Sequence, residues 1–165
     1  MRVLGIDPAL RTTGYGAIEC VAGRLRLIEA GVVVPDHRRT LEERLHELHA
    51  GIADVIAQTS PEIVVIEELY TTYKNPMTAI LMGHARGVLC LACAQAGLAV
   101  RTLAHARVKR ALVGSGSARK EQVSAMVAQL LRLRKPPRPH DVGDALALAI
   151  AFAYAADRHA ARPAV

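Results

Sequence analysis

The first third of the chain carries its apolar residues in short runs closed by polar or turn-forming ones, which is the pattern of strands. Val3-Leu4-Gly5-Ile6 is an apolar run that ends on Asp7. A turn at Pro8-Ala9-Leu10-Arg11 leads into Thr13–Glu19 and, past Ala22-Gly23, into Arg24–Val34, so three strands in an antiparallel meander are predicted. From Thr40 the period becomes helical: Leu41, Leu45, Leu48, Ile52, Val55 and Ile56 share one face. Glu43, three residues after Thr40, completes a capping box, and Ser60-Pro61 ends the helix.

Ile63–Ile66 is an unbroken apolar run of the kind buried on both faces of a sheet, and Glu67 closes it. A helix from about Pro76 to Gly97 follows, then a strand at Ala99–Leu103. Helices are predicted at His105–Val113, Ser117–Leu131 and Asp141–Ala160, with Gly114-Ser115-Gly116 and the basic, proline-rich Arg134–Pro139 as breaks. Strands first and strand–helix alternation afterwards give an α/β fold, a mixed sheet covered by helices. The expected organisation is one domain over residues 1–160 and a short tail at 161–165. Asp7 and Glu67 then fall at the carboxyl ends of neighbouring parallel strands, where α/β sheets place ligands.

The helix at 76–97 is apolar nearly all round, so it is either fully buried or shares a face with a second subunit. Gly83 and Gly87, four residues apart, leave room for a second backbone, which points to a homodimer. His84, Arg86 and Gln95 interrupt the run and argue against a membrane span.

Composition adds three constraints. Apolar residues make up 52% of the chain and charged ones 22%, which excludes a disordered polyelectrolyte. With one Phe, four Tyr and no Trp the core is aliphatic, so an exposed Tyr carries information. The net charge of +6 is concentrated: residues 101–165 hold 12 Lys/Arg against 4 Asp/Glu, the signature of a face turned to a polyanion. Three cysteines, an odd number, with no leader-like segment ahead of them, suggest free thiols and a cytoplasmic protein. Cys90-x-x-Cys93 lies inside the apolar helix and reads as core packing.

The candidate chemistry lies in four carboxylates. Asp7 and Glu67 end apolar strands, where a lone charge is expensive. Asp141 and Asp144 stand three apart at the start of the last helix, on one face, where the helix dipole favours negative charge. Taken singly each has an ordinary reading, as a cap, a turn starter or a solvated strand end. Together they form an all-oxygen donor set suited to Mg²⁺ or Mn²⁺ rather than to zinc. Two such ions can activate water and stabilise the leaving oxygen in phosphodiester cleavage, and with the basic C-terminal third this predicts metal-dependent hydrolysis of nucleic acid.

Seven segments then resemble, in order, those of the RuvC-type Holliday-junction resolvases. They are Gly5-Ile6-Asp7-Pro8, Thr13-Gly14-Tyr15-Gly16, Val65-Ile66-Glu67-Glu68, Ala85-Arg86-Gly87-Val88, Val108-Lys109, Val113-Gly114-Ser115-Gly116 and Asp144-Ala145-Leu146-Ala147. The resemblance spans about residues 1–155. It implies a ribonuclease H-like fold with a mixed five-stranded sheet, a homodimer, two Mg²⁺ per subunit with Mn²⁺ as substitute, and paired nicks in a four-way DNA junction. It also implies a 5′-phosphate and 3′-hydroxyl product and cooperation with a branch-migration helicase.

By position, Asp7, Glu67, Asp141 and Asp144 match the family's acidic metal site, with Asp141 completing what the other three hold. Lys109 and Lys120 match its two basic positions near that site, where phosphate contact is expected. Tyr70 matches an aromatic that stacks on a DNA base near the junction centre, and Tyr73 is a second candidate. Arg11, in the turn after Asp7, is placed to touch phosphate. Arg86, inside the apolar helix, either does the same or satisfies a backbone group or an acid.

Some positions depart from the pattern. Ala9 stands where the family usually has glycine, and a positive φ there would cost about 1 kcal/mol or shift the turn. His84 replaces a usual glutamine, and His140 flanks Asp141 without being a ligand. Two rival readings are a ribonuclease H-like nuclease acting on RNA, which needs neither Tyr70 nor the dimer helix, and a non-catalytic junction-binding module, which should lack an acid. A phosphate-binding ATPase is weaker, because Gly114-Ser115-Gly116 lacks the spacing of a phosphate loop.

Overall fold

A computed structural model describes residues 1–69 and 75–160 of the chain. Strands β1 (Arg2–Asp7), β2 (Thr13–Val21) and β3 (Arg24–Val33) form the predicted meander, followed by helix α1 (Leu41–Thr59) and strand β4 (Ile63–Glu67). Helix α2 (Pro76–Gln95), strand β5 (Ala99–Leu103) and helices α3 (His105–Val113), α4 (Lys120–Leu130) and α5 (His140–Ala160) complete it. The five strands make one mixed sheet in the order β3-β2-β1-β4-β5, antiparallel through the meander and parallel across β1, β4 and β5.

Local chemistry accounts for the boundaries. The Thr40 N–H donates to Glu43 Oε2 at 3.0 Å while the Glu43 N–H returns to Thr40 Oγ1, closing the capping box of α1. Asn75 caps α2 by accepting from the Met77 N–H, with Pro76 in the first turn. Helix α2 ends at Gln95, two residues before the sequence suggested. Gly97 turns left-handed there (φ 70°) and the Leu98 N–H reaches back to the Cys93 carbonyl. Helix α4 starts at Lys120, later than expected, because Ser115 and Ser117 bond one another in a turn and Arg119 is capped by Gln122.

The sheet separates two apolar layers. Leu4, Ile6, Val64 and Ile66 point to one side and bury Leu48, Ile52, Leu89 and Cys93 of α1 and α2. Val3 and Val65 point to the other and pack with α3, α4 and α5. Side chains alternate along a strand, so Asp7 and Glu67, in step with Val3 and Val65, emerge on the α5 side. Leu146 and Ile150 of α5 are fully buried, worth about 1.5–3 kcal/mol each.

Three glycines let α5 approach that closely. A side chain at Gly5 would collide with the Ala145 carbonyl, one at Gly14 with Asp141, and one at Gly16 with Leu146. Gly5 pairs with Gly16 and Asp7 with Gly14, so the bare patch is a single continuous area of β1 and β2. The start of α5 is thereby laid beside the end of β1.

Helix α2 is neither fully buried nor isolated. Ala85, Leu89, Ala92 and Cys93 pack inward, whereas Met77, Ile80 and Leu91 are more than half exposed. Its length and composition would suit a bilayer, yet its inner face is part of the core and Arg86 reaches the sheet.

Candidate active site

Strand pairing sets the site. Ile6 lies beside Ile66 in the parallel β1–β4 ladder, so Asp7 and Glu67 leave adjacent strands at the same carboxyl edge. Helix α5 delivers Asp141 in its first turn and Asp144 one turn later. All four acids are only partly accessible.

Their mutual repulsion is visible in Asp7, whose carboxyl is pushed up to about 8, first by burial, then by the charges of Glu67 and Asp144, a hydrogen bond to Glu67, and Asp141. Burial also pushes Glu67 up, but a hydrogen bond from His105, the hydrogen bond with Asp7 and the charge of Lys120 outweigh it, leaving Glu67 below its ordinary value. Of the two, Asp7 is thus the acid that gives up its proton less readily and Glu67 the one that ionises first.

Lys120, from the start of α4, places Nζ 3.3 Å from Asp144 Oδ2, and the charge of Asp144 leads in raising the lysine above its ordinary value. His105, first residue of α3, donates Nδ1–H to Glu67 Oε1 at 2.8 Å. Arg86 of α2 reaches the same strand end, with Nη1 2.6 Å from the Glu67 carbonyl and Nη2 2.8 Å from Thr102 Oγ1. Of the three partners open to Arg86 in the sequence, a phosphate, a backbone group or an acid, the backbone group is the one it meets here.

The turn after Asp7 is pinned by one side chain. Thr13, fully buried, accepts from the Ala9 N–H and donates to the Ala9 carbonyl. Ala9 is absent from the residues with positive φ, so the strain expected of a glycine replacement does not arise. Arg11 lies exposed at the bend itself. Lys109 is half-buried one turn along α3 from His105, on the same face. Tyr70 and Tyr73 lie outside the described residues.

No three His, Cys, Asp or Glu side chains among the described residues close on a common point as they stand. Lys120 draws Asp144 one way, and His105 holds Glu67. The donor set nonetheless fits a hard divalent cation: four carboxylates on one edge, with burial and then the neighbouring negative charges raising Asp7. What the sequence did not reveal is His105. The register Glu67↔Leu103 carries the residue two beyond Leu103 to the acidic edge, and that register is a property of the folded sheet rather than of any local sequence pattern.

Known proteins share this fold and much of this sequence. The family model described as crossover junction endodeoxyribonuclease RuvC matches residues 3–152. A crossover junction endodeoxyribonuclease RuvC of Rhodopirellula baltica is 45% identical over 155 residues, covering 94% of this chain and 87% of the relative. The T. thermophilus RuvC solved in complex with Holliday junction substrate superposes with a TM-score of 0.88 at 32% identity, over 99% of this chain and all of that one. The yeast mitochondrial Holliday junction resolvase shares the fold, with a TM-score of 0.66 at 12% identity over 95% of this chain and 82% of its own.

Proposed function

Because the chain belongs to the RuvC family of crossover junction endodeoxyribonucleases, we propose that it resolves four-way (Holliday) DNA junctions by paired nicks, in recombination and repair. The observation that carries this reading is the gathering of Asp7, Glu67, Asp141 and Asp144 at one edge of the sheet, from β1, β4 and α5.

Those four acids would hold divalent ions, two Mg²⁺ per subunit with Mn²⁺ able to substitute. Bound there, the ions supply the Lewis acidity that activates water for in-line attack at phosphorus and steadies the leaving 3′ oxygen. Water's oxygen bonds to phosphorus as the P–O3′ bond breaks, leaving a 5′-phosphate and a 3′-hydroxyl. Lys120, beside Asp144, and Lys109, on the preceding helix, would contact DNA phosphates. Arg11 adds a cation at the Asp7 turn, and Tyr70 or Tyr73 would stack on an unpaired base.

The chain acts as a single nuclease domain over residues 1–160 and pairs with a second copy through α2, whose exposed Ile80 and Leu91 flank Gly87. Nothing stands within 4 Å of a side chain built at Gly83 or Gly87, which leaves that face open to another helix. Two-fold symmetry in the protein then matches that of the junction. A branch-migration helicase would present the junction, and the work is cytoplasmic, where that DNA is found.

The test uses a synthetic four-way junction, a matched duplex and an RNA duplex, each with Mg²⁺ or EDTA. Symmetric nicks in the junction alone, and only with metal, are expected. Glu67→Gln should abolish cutting and keep junction binding. Equal cutting of duplex or RNA removes the assignment.

A further inference from the structure

Glu67 is held at both ends. Its carbonyl accepts from Arg86 at 2.6 Å, and the next residue's N–H bonds the Leu103 carbonyl at 3.0 Å, so the backbone beneath the side chain is tied to α2 and β5. Its carboxylate meets His105 at Oε1. The two side chains are only 21% and 27% exposed, so solvent does not replace the bond cheaply. The His105 ring springs from the first turn of α3, an element fixed by buried Val108 and Leu112. Lys120 is bonded to Asp144, so among the described residues His105 is the side chain hydrogen-bonded to the Glu67 carboxylate.

We propose that His105 is a positioning residue for Glu67, occupying Oε1 so that Oε2 faces the other acids, and that it sets the affinity of the site for divalent cations. This rests on the metal-dependent reading given above. A carboxylate on a two-carbon stem has several rotamers, and a hydrogen bond that selects one before the cation arrives removes an ordering cost from binding. Loss of such a support to a ligand costs about 10–100-fold in metal affinity. The bond needs a donor at the Nδ1 position, which an asparagine amide supplies and an alanine does not.

The experiment titrates Mn²⁺ into the full-length protein without DNA, following free Mn²⁺ by electron paramagnetic resonance. Wild type, His105→Ala, His105→Asn and Glu67→Gln are compared, each checked for folding by its thermal transition. His105→Ala should bind Mn²⁺ about 10–100-fold more weakly, and His105→Asn should fall within about threefold of wild type. Junction binding in EDTA should be the same in all, and cutting by His105→Ala should recover at saturating metal. Wild-type Mn²⁺ affinity in His105→Ala overturns the inference, as does an asparagine variant as weak as the alanine one. Failure of wild type to bind Mn²⁺, or full binding by Glu67→Gln, overturns the metal-site reading itself.

Discussion

Gly14 stands opposite Asp7 in the β1–β2 ladder, and the space its missing side chain leaves is filled by Asp141. One residue without a Cβ thus brings an acid from the end of the chain beside an acid from its beginning.

Replacing Gly14 with alanine should push Asp141 and the first turn of α5 off the sheet. Overpacking of this kind costs about 1–3 kcal/mol, readable in a urea melt. A shift of about 1 Å at a metal ligand should lower the single-turnover cutting rate about 100-fold. Retention of wild-type cutting by a folded Gly14→Ala variant would mean that Asp141 contributes nothing.

The proton on Asp7 should be measurable. With its carboxyl raised from 3.8 to about 8, the folded metal-free protein holds a proton that the unfolded chain has already lost. That contribution to stability is complete below pH 3.8 and is lost as pH rises through about 8. Divalent cation should therefore stabilise most on the alkaline side. Binding near pH 7 should release about one proton, falling toward zero well above pH 8. Calorimetry in buffers of different ionisation enthalpy counts it, and Asp7→Asn should abolish it.

The outer face of α2 makes a prediction that leaves the core untouched. Ile80 and Leu91 are each 52% exposed, so glutamate at either should change monomer stability by less than about 0.5 kcal/mol. Sedimentation equilibrium should show monomers in both variants. A junction cut by such monomers should carry single, unpaired nicks.

Much of this molecule was legible in order along the chain. Strand and helix positions followed from apolar period, and Thr40–Glu43 and Gly114 marked ends that the structure retains. The four acids stood out because apolar strands ended on two of them and a helix began on the others. Arg86 was ambiguous for a physical reason: an arginine in an apolar helix needs acceptors, and a single sequence does not say whether these lie in the protein or on a ligand.

Short-range matters could be read along the chain: the period of each element, its caps and the residue types available at its ends. These depend on contacts a few residues apart. Folding in three dimensions was needed to put β5 beside β4, to close the 38-residue gap between Glu67 and His105 to a hydrogen bond, and to have Thr13 rather than a glycine hold the turn at Ala9. Those outcomes depend on strand order and register, which are set by burial over the whole sheet, and no local pattern encodes a sum of that kind.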